Sequence, residues 1–313
     1  MTKGVKKYQS GKYDGIIALG GGSAMDVAKT IRFMAVHDPP LAQYDDAFGG
    51  EEKIVNPLPP LYAIPTTAGT GSEVGRSSVI TLKETGKKTI FFHPDLMPDI
   101  AVLDPTLTTG LPPHITAATG MDAFTHCMEA YLVDNFHPMA DAIAVEGMKL
   151  ILENLPKVIK DPENIDARGK MLLAASMGAI AFQKGLGMIH SMAHPLSAEH
   201  NLHHGLANAM LIPASLEFSI KKALDEKMVS LIEKFKNITK IISFDTVSKI
   251  DQLPYLLREF INSTGINLGL ENENIKEDQI NKLSQLAFED SCHVTHPFPV
   301  TIKDFATVLS NSL

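Results

Sequence analysis

At 313 residues with 44% hydrophobic side chains, the chain can bury one large core or two domains. A formal charge of −8 and a pI near 5.8, without a clustered Lys/Arg face, argue against a broad nucleic-acid footprint. Two cysteines, Cys127 and Cys292, cannot build the framework of a small secreted scaffold, which points to a reducing compartment.

The first ten residues are basic but lead into no apolar signal region. The longest apolar stretch, 171–182, is too short to span a bilayer. The expectation is a cytoplasmic protein that binds neither membrane nor nucleic acid.

Residues 15–30 run from an apolar segment, suited to a buried parallel strand, through Gly20-Gly21-Gly22-Ser23 into a helical pattern. Ser23 and Asp26 could open that helix as a capping box. Glycines here let a backbone approach a phosphate, and the helix N-terminus favours an anion. The motif is neither the Gly-x-Gly-x-x-Gly fingerprint nor a Walker A loop, so a tight turn that binds nothing fits it as well.

Residues 34–60, with Asp38-Pro39-Pro40, Gly49-Gly50 and Pro57-Leu58-Pro59-Pro60, read as a long loop. A strand at 61–64 then enters Pro65-Thr66-Thr67-Ala68-Gly69-Thr70-Gly71-Ser72-Glu73, whose hydroxyls suit ribose and phosphate oxygens or, equally, a helix cap. Segments 77–82 and 88–92 flank Glu84-Thr85-Gly86 as a hairpin, from which Lys88 could reach a cofactor. One more short strand is expected within 96–104.

From Pro112 the period becomes helical, with helices expected at 113–132, 138–155, 165–184, 205–222, 246–264, 275–290 and 302–311. This divides the chain into an α/β part, 1–110, and a helical part, 111–313.

The helical part holds the concentrated chemistry. Asp122 and His126 are four apart, as are His190 and His194, and residues four apart on a helix lie about 40° round the axis and about 6 Å along it. Five of the 12 histidines fall within 188–208: His190, His194, His200, His203 and His204. Pro195 should kink the helix or start a new one, leaving His190 and His204 on separate pieces of backbone that converge. Taken alone, Asp122 could be a helix cap and His126 a core histidine; two such clusters point to one metal site. One carboxylate and three imidazoles leave room for a further ligand, as in a catalytic site, and would suit zinc at least as well as ferrous iron. Cys127 points about 100° away from His126 on a helix and reads as a packing residue.

Four ordered stretches resemble the iron-containing, group III alcohol dehydrogenases: Gly20 to Asp26, Pro65 to Glu73, Gly120-Met121-Asp122-Ala123-Phe124-Thr125-His126 with Glu129, and His190 to Leu196 continuing through His204 to Asn208. The resemblance implies a dehydroquinate synthase-like architecture, with an N-terminal Rossmann-like α/β domain, an all-α C-terminal domain and a divalent iron in the cleft between them. It gives the ligand positions to Asp122, His126, His190 and His204, and sets His194 beside the substrate. It puts Gly21, Gly22, Ser23 and Asp26 at the coenzyme pyrophosphate, and Thr66, Thr67, Thr70, Ser72 and Lys88 along the coenzyme cleft. His200 and His203 match nothing in the family pattern.

The family carries a further α/β segment before the glycine loop, whereas Gly20 here is preceded by 19 residues, so the Rossmann-like half is expected to be truncated. The acidic residue that commonly selects NAD over NADP belongs to that segment, leaving NAD or NADP open. His296-Pro297 stands where family members often have Asn-Pro.

The activity implied is reversible hydride transfer between a small alcohol and NAD or NADP, by a homo-oligomer that binds Fe2+, with Zn2+ as the other candidate. Alternatives at this stage are a glycerol-dehydrogenase-like polyol enzyme, a metal-dependent hydrolase whose glycine loop is only a turn, and an inactive subunit.

Overall fold

The computed structural model describes residues 1–83, 86, 88–243 and 249–313. Helix α1 (Thr2–Ser10), unforeseen in the sequence because it is short, polar and buries none of its residues, leads into strand β1 (Ile16–Gly20). Helix α2 (Gly22–Met34) follows at once. Strand β2 (Leu61–Pro65) pairs with β1 in parallel from Ile16 opposite Leu61 to Gly20 opposite Pro65. The expected strand within 96–104 shrinks to β5 (Ile100–Ala101), which pairs with β2 in the order β1-β2-β5.

The hairpin forms as expected from β3 (Ser77–Thr81) and β4 (Lys88–Phe92), with Ser77 opposite Phe92 and Thr81 opposite Lys88. Glu84 and Thr85 of its turn lie outside the described residues. The loop 34–60 is more ordered than its prolines and glycines suggest. Three 3-10 turns run through it, and its Tyr44 and Ile54 pack with Phe33 and Phe91 in a small core.

Helix α2 covers one face of the parallel sheet, where Ala18, Leu61 and Ala63 pack on Met25 and Ala28. Among the described residues the other face is uncovered. Ile17, Tyr62 and Ile100 form one cross-strand row and are 68%, 41% and 50% exposed. Parallel sheets usually have both faces covered, so this row is a departure from the rule.

Two buried cations on α2 fix the loops around the sheet. Arg32 donates to the Pro59, Asp95 and Met97 carbonyls and to Asp99 Oδ2, which also accepts from Leu61 N at the start of β2. Lys29 Nζ donates to Ser72 O at 2.6 Å, Ser72 Oγ at 2.9 Å, Gly75 O at 2.8 Å and Ser77 O at 3.0 Å. Burial presses its pKa down to about 8, against Asp26 and Glu73, which favour the charge. Lys29 thereby holds the Thr/Gly segment after β2 against α2. The capping box expected of Ser23 and Asp26 does not form; Gly21 is the N-cap and no side chain caps the helix, because Asp26 accepts instead from Ser72 Oγ at 3.0 Å.

The helical part is built round α3 (Pro113–Leu132), almost wholly buried against α4 (Pro138–Lys160), α5 (Ile165–Ala181) and a later helix. Small residues allow the close crossing: a Cβ on Gly120 would lie 2.6 Å from a Leu155 methyl. Helix α6 (Met188–His200) runs through Pro195 as one helix, so no new helix starts there. It ends instead at Asn201, in the left-handed region at φ 55°, where a short polar side chain is tolerated.

Helix α7 (His204–Asp225) then packs on α3. Helix α8 (Val229–Ser243) was missed in the sequence, although it buries a spaced set of Leu231, Phe235 and Ile238. Helices α9 (Leu253–Ser263) and α10 (Ile280–Glu289) start later than expected, each behind a 3-10 turn, and residues 246–248 lie outside the described residues. Helix α11 (Ile302–Ser310) closes the chain. Among the described residues no single helix is long and apolar enough to cross a membrane.

Replacing Lys29 with Met should lower the unfolding free energy by about 3–5 kcal/mol at neutral pH, since it strands two buried carboxylates and four acceptors. Denaturant unfolding monitored by circular dichroism measures it; a loss below about 1 kcal/mol would mean that the ammonium does not hold the loop.

Candidate metal and coenzyme site

Asp122 does not cap a helix; it lies in the middle of α3, one turn before His126, and both are buried. His190 sits in the first turn of α6 and His204 is the first residue of α7. Their imidazoles converge on the Asp122 carboxylate: Oδ1 is 3.8 Å from His126 Nε2, 3.8 Å from His190 Nε2 and 3.5 Å from His204 Nε2. The rings of His126 and His190 stack at 4.7 Å.

Gly205 permits the approach of α7 to α3, since a Cβ there would run into the Ala118 carbonyl oxygen and lie 3.0 Å from Asp122 Cβ. His204 therefore reaches Asp122 because its neighbour has no side chain. His194 lies one turn after His190, its ring stacked on His204 at 5.2 Å. His200 closes α6 and His203 precedes α7.

Three further side chains complete the geometry, and only two of them left a trace in the sequence. Glu129, three residues after His126, is buried and accepts from Ile189 N at 2.8 Å, from His190 N at 3.4 Å and from His190 Nδ1 at 2.6 Å. It puts a His190 proton on Nδ1, so that Nε2 is the ring nitrogen facing Asp122. Burial disfavours ionisation of Glu129, but the bond and charge of His190, the Ile189 N–H and His296 together outweigh it and keep its pKa below the usual carboxylate value.

Asn208, four residues after His204, donates Nδ2 to Asp122 Oδ1 at 2.8 Å and lies 3.4 Å from both His190 Nε2 and His204 Nε2. The third, Asp290, is 96 residues from His194 and had no signal in the sequence. Its Oδ2 accepts from His194 Nδ1 at 2.7 Å, while Oδ1 accepts from Ser191 Oγ and Cys292 N. Burial opposes its ionisation, yet the His194 bond brings its pKa down to about 2.

The donor set fits a divalent cation. Burial brings His126 down to about 4 and lowers His204 well below its ordinary value, so both are neutral with lone pairs free for a metal at pH 7. One carboxylate and three imidazole nitrogens surround a point now approached by a single N–H donor, Asn208 Nδ2. Cys127 is buried away from it, against Gly147 and Gly178, with its thiol pushed up to about 12 by burial.

The coenzyme candidates gather on the α/β side. Gly21 and Gly22 lie against the Thr segment: a Cβ on Gly21 would be 3.1 Å from Thr67 Oγ1, and one on Gly22 would be 2.7 Å from Thr70 Cγ2. The backbone ladder continues from Gly20 O to Thr66 N at 3.0 Å. Side chains at the glycines would fill the space between the two segments. With no side-chain cap, the first turn of α2, including Ser23, keeps its positive end for an anion.

Asp26 and Ser72 turn toward each other, and Lys88 stands at the far end of the hairpin from Ser77. Two contacts tie this side to the helices. Glu73 accepts from Ser176 Oγ on α5 at 2.7 Å, and Gly69 packs on Thr119 of α3, one turn before Asp122.

Replacing Glu129 with Gln should weaken binding of a divalent metal about 10- to 100-fold, because the carboxylate partner of a metal-binding histidine is lost. Chelator competition under anaerobic conditions measures this. An unchanged dissociation constant would separate Glu129 from the metal centre.

Two family models cover the chain: iron-containing alcohol dehydrogenase over residues 1–105, and the C-terminal domain of the Fe-containing alcohol dehydrogenase family over residues 116–313. The chain is 37% identical over 318 aligned positions to a 4-hydroxybutyrate dehydrogenase of Cupriavidus necator, covering 100% of this chain and 81% of that protein. A crystal structure of 1,3-propanediol oxidoreductase superposes with a TM-score of 0.91 at 31% identity, over 100% of this chain and 80% of that one. A sulfoacetaldehyde reductase from Bifidobacterium kashiwanohense, solved in complex with NAD+, gives 0.81 at 26% identity over 99% and 79%. The chain therefore belongs to the iron-containing alcohol dehydrogenase family, with a Rossmann-like N-terminal part and a helical C-terminal part.

Proposed function

We propose that the chain oxidises a short primary alcohol reversibly with a nicotinamide coenzyme, using iron held by Asp122, His126, His190 and His204. The observation that carries this reading is the convergence of three imidazoles on the buried Asp122 carboxylate. The relatives named for 4-hydroxybutyrate and 1,3-propanediol support a short, functionalised alcohol as the substrate class. In this reading residues 1–110 hold the coenzyme and 111–313 the metal.

Iron bound there supplies Lewis acidity toward the alcohol oxygen, favouring loss of its proton and then of hydride from carbon. The chain's own residues do the rest. Glu129 holds the His190 proton on Nδ1, so that Nε2 stays available. Asp290 accepts from His194 Nδ1, which leaves His194 Nε2 as the acceptor for the hydroxyl proton. The His194 side chain is 31% exposed, so the proton can pass on to water. Gly21, Gly22 and Ser23 offer backbone N–H groups to the coenzyme pyrophosphate, and Thr66, Thr67 and Thr70 flank it. Asp26, Ser72 and Lys29 act behind this surface by holding the two segments together.

The test is an anaerobic titration of the iron-loaded chain with NADH and, separately, NADPH, followed by nicotinamide fluorescence. Binding of one or both is expected; folded, iron-loaded protein that binds neither overturns the dehydrogenase reading for this chain. A His194→Ala variant is expected to keep its iron and lose about 10²-fold or more in kcat. Full turnover across the pH range would remove His194 from proton transfer.

A further inference from the structure

Beside Glu129 lies a cavity of about 20 Å³ lined by Glu129, Gly187, Ser215, Ser219, His296 and Pro297, among others. Its walls come from α3, the first turn of α6, α7 and the segment at His296 and Pro297. Two of its lining residues carry a buried polar atom with no hydrogen-bond partner, Ser215 Oγ and His296 Nε2.

The state of His296 follows from its other nitrogen. Nδ1 lies 3.4 Å from Met188 N and can only accept there, so the ring proton belongs on Nε2. Burial brings the His296 pKa to about 4, consistent with a neutral ring. A neutral imidazole with its N–H inside a protein and no acceptor is rare, and so is a buried hydroxyl that bonds nothing. Both atoms belong to residues lining one cavity whose volume exceeds the about 10–15 Å³ that a water needs, and Glu129 lines it too.

We propose that this cavity binds one ordered water, which accepts from His296 Nε2–H and bridges Ser215 Oγ to the Glu129 carboxylate. The water makes His296 a positioning residue for His190. Glu129 already accepts from Ile189 N, His190 N and His190 Nδ1 on its α6 side; a further donor from the cavity holds the carboxylate and keeps His190 Nε2 aimed at Asp122. This second half rests on the metal reading of the site, whereas the water itself does not.

The experiment has two arms. A crystal structure of the full chain at about 1.5 Å should show a water within about 2.7–3.2 Å of both Ser215 Oγ and His296 Nε2; a cavity empty of density overturns the proposal, whether or not metal is bound. In the second arm, iron dissociation constants are measured by chelator competition for the unaltered chain, Ser215→Ala, His296→Leu and His296→Asn. His296→Leu is expected to weaken iron about tenfold, while His296→Asn, which keeps a donor, restores most of the loss. Ser215→Ala adds no volume and keeps the arm readable if His296→Leu does not fold. Its iron constant should rise in the same direction.

A role in packing alone would lower the thermal midpoint of the metal-free protein and leave the iron constants unchanged, which overturns the positioning role. Failure of the unaltered chain to bind iron would overturn the metal reading and with it the positioning role, leaving the water to be judged by the density.

Discussion

The Glu129 carboxylate, set against the first turn of α6, is the interaction on which the helical part of the site depends. It meets that helix as an N-cap would, from another helix, accepting two of the backbone N–H groups that a helix start leaves unpaired. The same carboxylate takes the His190 ring proton. One buried charge thus fixes the direction of α6 and the tautomer of the side chain in its first turn. His194 follows one turn later, and Asp290 holds it from the opposite side. Without Glu129, His190 and the backbone carrying it would both lose their orientation.

The α/β part is fixed by an analogous device of opposite sign. Lys29 gathers the carbonyls of Ser72, Gly75 and Ser77, and so brings the Thr segment onto the glycine turn. Glu73, on the same segment, is bonded to Ser176 of α5, and Gly69 touches α3 next to Asp122. The two halves of the site are therefore in register through one segment, residues 65–77. A displacement of that segment would move the coenzyme side relative to the metal side.

The sequence revealed those features that local spacing determines. Asp122 and His126 at four apart, the histidines of 188–208, the glycine turn and the span 113–132 were readable because helix geometry and strand–turn–helix patterning carry them. Asp290 was not readable, since its partner His194 lies 96 residues earlier and chain folding alone brings them together. No new helix starts at Pro195. A proline costs a helix one hydrogen bond, and here Glu129 and Asp290 anchor the turns just before it, between Ile189 and His194. The capping box failed for a similar reason, because Asp26 found a stronger partner in Ser72 than in its own helix. Tertiary partners overrode local rules wherever a charged or hydroxyl group could reach a neighbour from elsewhere in the chain.

The bare side of the parallel sheet has a consequence for how the molecule behaves in solution. Ile17, Tyr62 and Ile100 lie in one row, and β1 is the last strand on its side, with backbone groups that face no further strand among the described residues. Laying two such faces together withdraws apolar surface from water, and an open edge can accept another strand. Because β1 ends in the glycine turn, whatever lies against this face also borders that turn.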